Sequence, residues 1–222
     1  MTARLRLFSG VVNTAGWRVR LALALKGIDY EYVAVRRLAP GEYRRLNPQG
    51  LMPTLNVDGH FIAQSAAILE YLEEQYPDPP LLPADPILRA TARGFAQYIT
   101  ADLHPLNNER VRGYLTKRMG QDNAVWMPWY HHWSITGLIA LEQMLRRRTH
   151  KTQFCFSDTP GWAELHLVPQ MYNCRRYGID VGPFPLLVAA DKACHDIAAF
   201  AEAAPERMSD YDGVDQHWLH QT

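Results

Sequence analysis

The sequence predicts an α/β domain followed by an all-α domain. Three observations carry this: residues 4–80 alternate strand and helix signals, the chain from residue 87 onward is helical in pattern, and a proline-rich stretch separates the two. That stretch, Pro77-Asp78-Pro79-Pro80-Leu81-Leu82-Pro83-Ala84-Asp85-Pro86, cannot be helical, because proline lacks an amide donor and restricts the residue before it. The domains are therefore placed at 1–80 and 87–222.

Arg4–Ser9 reads as a strand, Trp17–Lys26 as a helix closed by Gly27, and Tyr30–Val35 as a second strand. After a Pro/Gly loop, Thr54–Val57 and His60–Ile62 flank Asp58-Gly59, a pair suited to a hairpin turn whose two central residues need positive φ. Ser65 reads as the cap of a helix through Tyr76, with Ala66, Ile68, Leu69 and Leu72 at near-helical spacing. The second domain shows helical pattern from Ile87 to about Lys117, Ala124 to about Arg147, Trp162–Tyr177 and Pro185–Ala204. Residues 205–222 mix charge, glycine and histidine and read as a loosely attached tail.

Composition narrows the function classes. The chain is 47% hydrophobic and 21% charged, with 23 Lys+Arg against 23 Asp+Glu. A neutral chain without a basic run is not expected to bind nucleic acid, which requires clustered cations against phosphates. The longest apolar run, near Leu21–Leu25, is far shorter than the roughly 20 residues of a membrane span, so no membrane partner is expected. Met1-Thr2-Ala3-Arg4-Leu5 leads straight into strand pattern, and a cytoplasmic location is expected. Cys155, Cys174 and Cys194 form no C-x-x-C pair and read as buried reduced thiols. Adjacent His131 and His132 diverge by about 100° on a helix, and no metal site is expected.

Several separated motifs agree in order. They are Trp17-Arg18-Val19-Arg20-Leu21-Ala22-Leu23-Ala24-Leu25-Lys26-Gly27, Leu46-Asn47-Pro48-Gln49-Gly50, Met52-Pro53, Gln64-Ser65-Ala66-Ala67-Ile68-Leu69-Glu70-Tyr71-Leu72-Glu73-Glu74 and Leu167-Val168-Pro169-Gln170. Together with the two-domain layout they resemble the zeta-class glutathione transferases, whose first domain is thioredoxin-like and whose members include maleylacetoacetate and maleylpyruvate isomerases. Asp102-Leu103-His104-Pro105-Leu106-Asn107-Asn108 and Arg175-Arg176-Tyr177-Gly178-Ile179-Asp180-Val181 lean toward the maleylpyruvate group.

The resemblance implies a glutathione-dependent cis–trans isomerase of a small maleylpyruvate- or maleylacetoacetate-like substrate, acting by thiolate addition, bond rotation and elimination, with glutathione regenerated. It also implies a homodimer. It assigns glutathione contacts to Gln49, Met52, the cis-proline Pro53, Gln64, Ser65, His104 and Asn108, and substrate contacts to Arg176 and Arg110. A helix start at Ser65 suits an anion, since free N–H groups and the positive dipole end lie there. His104 and Asn108, four apart, share a helical face, although a simple packed pair has the same spacing. Arg176 and Arg110 read equally as structural or solvent-facing cations.

Two departures bear on the chemistry. The serine and cysteine of the family's Ser-Ser-Cys-Ser type motif are replaced in Asn13-Thr14-Ala15-Gly16, leaving Thr14 and Asn13 as candidate sulfur contacts or as mere helix caps. Val12 stands where many relatives place a carboxylate-binding arginine. These departures keep two alternatives open: a transferase that makes or breaks a C–S bond in a specialised or detoxification pathway, and a binding protein without catalysis.

Overall fold

The computed structural model describes residues 4–149 and 151–213. They fall into two compact units, one of residues 4–81 with 195–213 and one of residues 82–194.

The first unit is built on a four-stranded sheet of order β2-β1-β3-β4, from β1 (Leu5–Ser9), β2 (Glu31–Ala34), β3 (Thr54–Val57) and β4 (His60–Ala63). β2 runs parallel to β1, whereas β3 pairs antiparallel to both β1 and β4. The β3–β4 connection takes the predicted turn, with φ of 48° at Asp58 and 95° at Gly59. Helix α1 (Thr14–Leu25) starts three residues earlier than its apolar pattern, because Asn13 caps it. Next come α2 (Glu42–Leu46) and α3 (Ser65–Gln75), the latter packed on α1. Ser65 is the first helical residue of α3 rather than its cap; Gln64 takes the cap position at φ 73°.

In the second unit the expected helix from Ile87 to Lys117 is broken. It resolves into α4 (Pro86–Gln97), a π-helical segment at Tyr98–Leu103, the short α5 (His104–Leu106) and α6 (Glu109–Lys117). Asn108 has extended backbone, and its side chain caps α6 by accepting from Arg110 N. Helices α7 (Asn123–Arg146), α8 (Trp162–Arg176) and α9 (Pro185–His195) complete the unit. At the start of α8, Glu164 accepts from Gly161 N at 2.9 Å and Cys155 N at 2.7 Å; with glycine at the cap, only this half of a capping box forms.

The C-terminal expectation is corrected. The last helix breaks at Ile197, and α10 (Ala198–Glu202) packs on α1 of the first unit instead of extending the helical domain. Residues 205–213 are not loosely attached. Buried Asp210 accepts from Tyr32 Oη at 2.9 Å and pairs with Arg36, Arg36 also bonds the Asp210 carbonyl and the Asp212 carboxylate, and Arg37 bonds the Ser209 carbonyl. The remainder of that tail lies outside the described residues. Asp210→Ala leaves Tyr32 and Arg36 without this partner, and is expected to destabilise the fold by about 1–3 kcal/mol, read as a lower urea midpoint at unchanged slope. An unchanged midpoint contradicts the role assigned to this segment.

Candidate active site

In the first unit, the end of β1, the start of β3 and the end of β4 lie at one end of the sheet, as the pairs Phe8↔Thr54 and Thr54↔Ala63 require. That end gathers the loop before α1, the Met52-Pro53 bond and the Gln64-Ser65 step. Met52 approaches Gly10 closely enough that a β-carbon there would lie 3.3 Å from Met52 Cε and Sδ. The Met52-Pro53 peptide is cis, and Pro53 is buried.

Asn13 Oδ1 accepts from Gly16 N at 2.6 Å. Because an amide oxygen must face that donor, the Asn13 Nδ2 protons are left for another acceptor. Asn13 is half-buried, whereas Thr14 is only 3% exposed. The cap role and the sulfur role are therefore compatible in Asn13.

Gly16 is fitted to this arrangement. A β-carbon added there would lie 1.8 Å from Ser9 Oγ and 2.8 Å from Asn13 Oδ1, so buried Ser9 fills the space a side chain would take. Gly16→Ala is expected to displace Asn13 and cost about 1–3 kcal/mol through overpacking. A thermal melt checks it, and a variant as stable as the parent contradicts it.

Gln64 Nε2 donates to Gln49 Oε1 at 2.8 Å, with both side chains exposed. Beside them, Ser65 Oγ accepts from Arg18 Nη1 at 3.4 Å; both residues are buried. Arg18 was not singled out from the sequence.

In the second unit, His104 Nε2 and Asn108 Nδ2 lie 3.3 Å apart. The two are neighbours, but through the break between α5 and α6 rather than on one continuous helical face. Arg110 is exposed and lines a shallow pocket of about 270 Å3 with Val111, Tyr114 and Leu115. Arg176, at the end of α8, is half-buried; burial lowers its pKa, while the nearby Tyr177, Tyr130 and Glu109 oppose that shift. The rings of Tyr130 and Tyr177 stack at 3.8 Å. His131 Nε2 contacts Tyr177 O at 2.8 Å, which fixes the end of α8 against α7. Glu109, also not singled out from the sequence, pairs with Arg112 at 3.4 Å.

All three cysteines are buried, and burial raises each thiol, Cys174 to about 11, which favours the protonated, unreactive form. No group of three or more His, Cys, Asp or Glu able to hold a metal occurs among the described residues.

A family model described as "Glutathione S-transferase, N-terminal domain" matches residues 15–75. The chain is 42% identical over 198 residues to a maleylpyruvate isomerase of Ralstonia sp, covering 87% of this chain and 93% of that protein. It belongs to the zeta-class glutathione transferase family. Among solved structures, this zeta-class chain superposes with a TM-score of 0.88 on a holo maleylpyruvate isomerase, a bacterial zeta-class enzyme, at 40% identity over 92% of this chain and 99% of the other. It is also similar to the maleylacetoacetate isomerase of Anaeromyxobacter dehalogenans, solved with glutathione in its active site, with a TM-score of 0.84, 39% identity and coverage of 94% and 98%. The zeta-class protein is thus an enzyme of the glutathione transferase fold.

Proposed function

We propose that this zeta-class enzyme isomerises the cis double bond of a maleylpyruvate- or maleylacetoacetate-like keto acid with glutathione as a recycled cofactor. The observation that carries the reading is the set of donors at one end of the sheet in the first unit. The half-buried Asn13 amide has its oxygen committed to the cap, the Gln49–Gln64 pair lies beside buried Ser65, and the Met52-Pro53 turn sits next to Gly10. This donor set fits an anionic thiol peptide, which needs hydrogen bonds to sulfur, a backbone anchor and a carboxylate site. When bound, glutathione supplies a thiolate nucleophile that removes the double-bond character blocking rotation.

The chain's own residues have separate tasks. Asn13 donates from Nδ2 to the sulfur and favours its anionic form; a drop of about two pKa units corresponds to roughly 2.7 kcal/mol. Thr14, nearly closed off from solvent, holds the start of α1. Met52 and Pro53 present backbone to the cysteinyl unit, and Gln49, Gln64 and Ser65 orient the γ-glutamyl end. In the second unit, His104 and Asn108 serve the glycyl carboxylate. Arg176 grips a substrate carboxylate in the paired-donor geometry that suits guanidinium. Arg110 contributes long-range attraction from its exposed position.

The same reading makes the enzyme a cytoplasmic homodimer. Exposed Ile87 and Leu88 at the start of α4, with Ile87 78% accessible, support an apolar contact there. The test of function is loss of the enol absorbance of maleylpyruvate or maleylacetoacetate with substoichiometric glutathione. Full conversion with the thiol recovered is expected. A stable glutathione conjugate supports the C–S bond-forming alternative instead, and no turnover at saturating glutathione contradicts isomerisation.

A further inference from the structure

Arg18 and Arg20 lie two residues apart on α1 and are both buried, at 2% and 0% exposure, but their surroundings differ. Arg20 uses all three side-chain nitrogens: Nε donates to Ala203 O at 3.1 Å, Nη1 to Gly10 O at 3.3 Å and Nη2 to Val11 O at 3.1 Å. Arg18 has one long bond, from Nη1 to Ser65 Oγ, and its Nε and Nη2 are buried without a hydrogen-bond partner. Buried donors are almost always satisfied, and an unpaired buried cation is among the costliest groups a fold can carry. Burial pushes the Arg18 pKa down to about 9, so the group still holds its charge at neutral pH.

The place of this charge is informative. Ser65 opens the 11-residue helix α3, whose cap residue Gln64 makes no side-chain cap bond and whose first turn holds no acidic residue. Free N–H groups at a helix start and an uncompensated guanidinium directly behind them are both positive, and no ion pair compensates Arg18 among the described residues. Because Ser65 Oγ accepts from Arg18, the serine proton remains to be donated outward, and a hydroxyl polarised by a cation is the stronger donor. Arg18 itself is too buried to meet a ligand except through Ser65.

We propose that Arg18 is a positioning residue for the carboxylate of glutathione's γ-glutamyl unit, directing the Ser65 hydroxyl toward that carboxylate and holding behind it a buried positive charge that no anion among the described residues compensates. The ligand thereby completes an ion arrangement that the fold leaves open. This rests on the reading that the γ-glutamyl end docks at Gln64-Ser65, and the experiment separates the two.

Calorimetric titrations of the full chain compare glutathione with 4-aminobutyryl-cysteinyl-glycine, which lacks only the α-carboxylate of the γ-glutamyl unit, for the parent, Arg18→Met and Arg18→Lys. The parent is expected to bind glutathione at least about 30-fold more tightly than the analogue, as strong charge-assisted bonds imply. Arg18→Met is expected to shrink that preference about tenfold, and Arg18→Lys to restore part of it. In kinetics, KM for glutathione rises in Arg18→Met while kcat at saturating glutathione stays within about twofold. Methionine is smaller than arginine but removes a buried, under-bonded cation, so the apo melting temperature is expected to stay close to the parent's. A purely structural arginine lowers that temperature and leaves the ligand preference intact, which overturns the proposal. Should the methionine variant not fold, an unchanged preference in Arg18→Lys overturns it equally, and a reduced preference supports it. Equal binding of both peptides by the parent overturns instead the docking of the γ-glutamyl end.

Discussion

Asn13→Ala is expected to lower kcat/KM for the isomerisation by about 10- to 100-fold, the effect of one lost hydrogen bond to a charged group. The variant also loses the 2.6 Å cap on Gly16 N, which costs about 1 kcal/mol of stability. Two further substitutions separate these effects. Asn13→Asp retains a good cap but brings a carboxylate to the sulfur, so it is expected to be as stable as the parent and less active than the alanine variant. Asn13→Ser supplies both a cap and a hydroxyl donor and is expected to stay within about threefold of the parent. Steady-state rates and thermal melts on the four proteins give the two orders. An active Asn13→Asp enzyme places the sulfur donor elsewhere, with Thr14 the remaining side-chain candidate.

Arg176→Ala is expected to reduce kcat/KM about 100-fold, because a half-buried guanidinium that donates two charge-assisted bonds to the substrate carboxylate has no substitute in the apolar Val12. Arg176→Lys retains charge without the planar fork and is expected to recover roughly tenfold of that loss. Arg110→Ala is expected to change kcat/KM by no more than about threefold, since an exposed cation acts in high dielectric. Glu109→Gln moves in the opposite direction. Glu109 opposes the lowering of the Arg176 pKa, but it is exposed and also pairs with Arg112, so removing its charge is expected to lower KM by no more than about threefold. An Arg176→Ala enzyme within threefold of the parent contradicts the substrate role.

Local pattern carried the sheet and hairpin well because their determinants are local. The Asp58-Gly59 turn demands positive φ from two adjacent residues, and the alternation around it states the register. The helical half was less legible. Apolar periodicity runs through Tyr98–Leu103 and Asn107-Asn108, where π-helical geometry and a side-chain cap replace continuous helix. The fate of residues 205–213 was not legible, since Asp210 and Asp212 find Arg36 across more than 170 positions and each alone looks like an ordinary surface charge. At the site, the family motifs named residue types but not their commitments. The Asn13 oxygen is occupied by Gly16, Ser9 fills the space beside that glycine, and Arg18 is buried with two nitrogens unpaired. Each of these depends on contacts between elements. A hydropathy pattern treats Arg18 and Arg20 alike as exposed.

The most direct test of the account is a difference titration of the enzyme-bound glutathione thiol at 240 nm in the parent and in Asn13→Ala. The bound thiol is expected to ionise about two units below the reference near 8.5 in the parent, and to move back toward it in the variant. A bound thiol that ionises like the free peptide in the parent contradicts it.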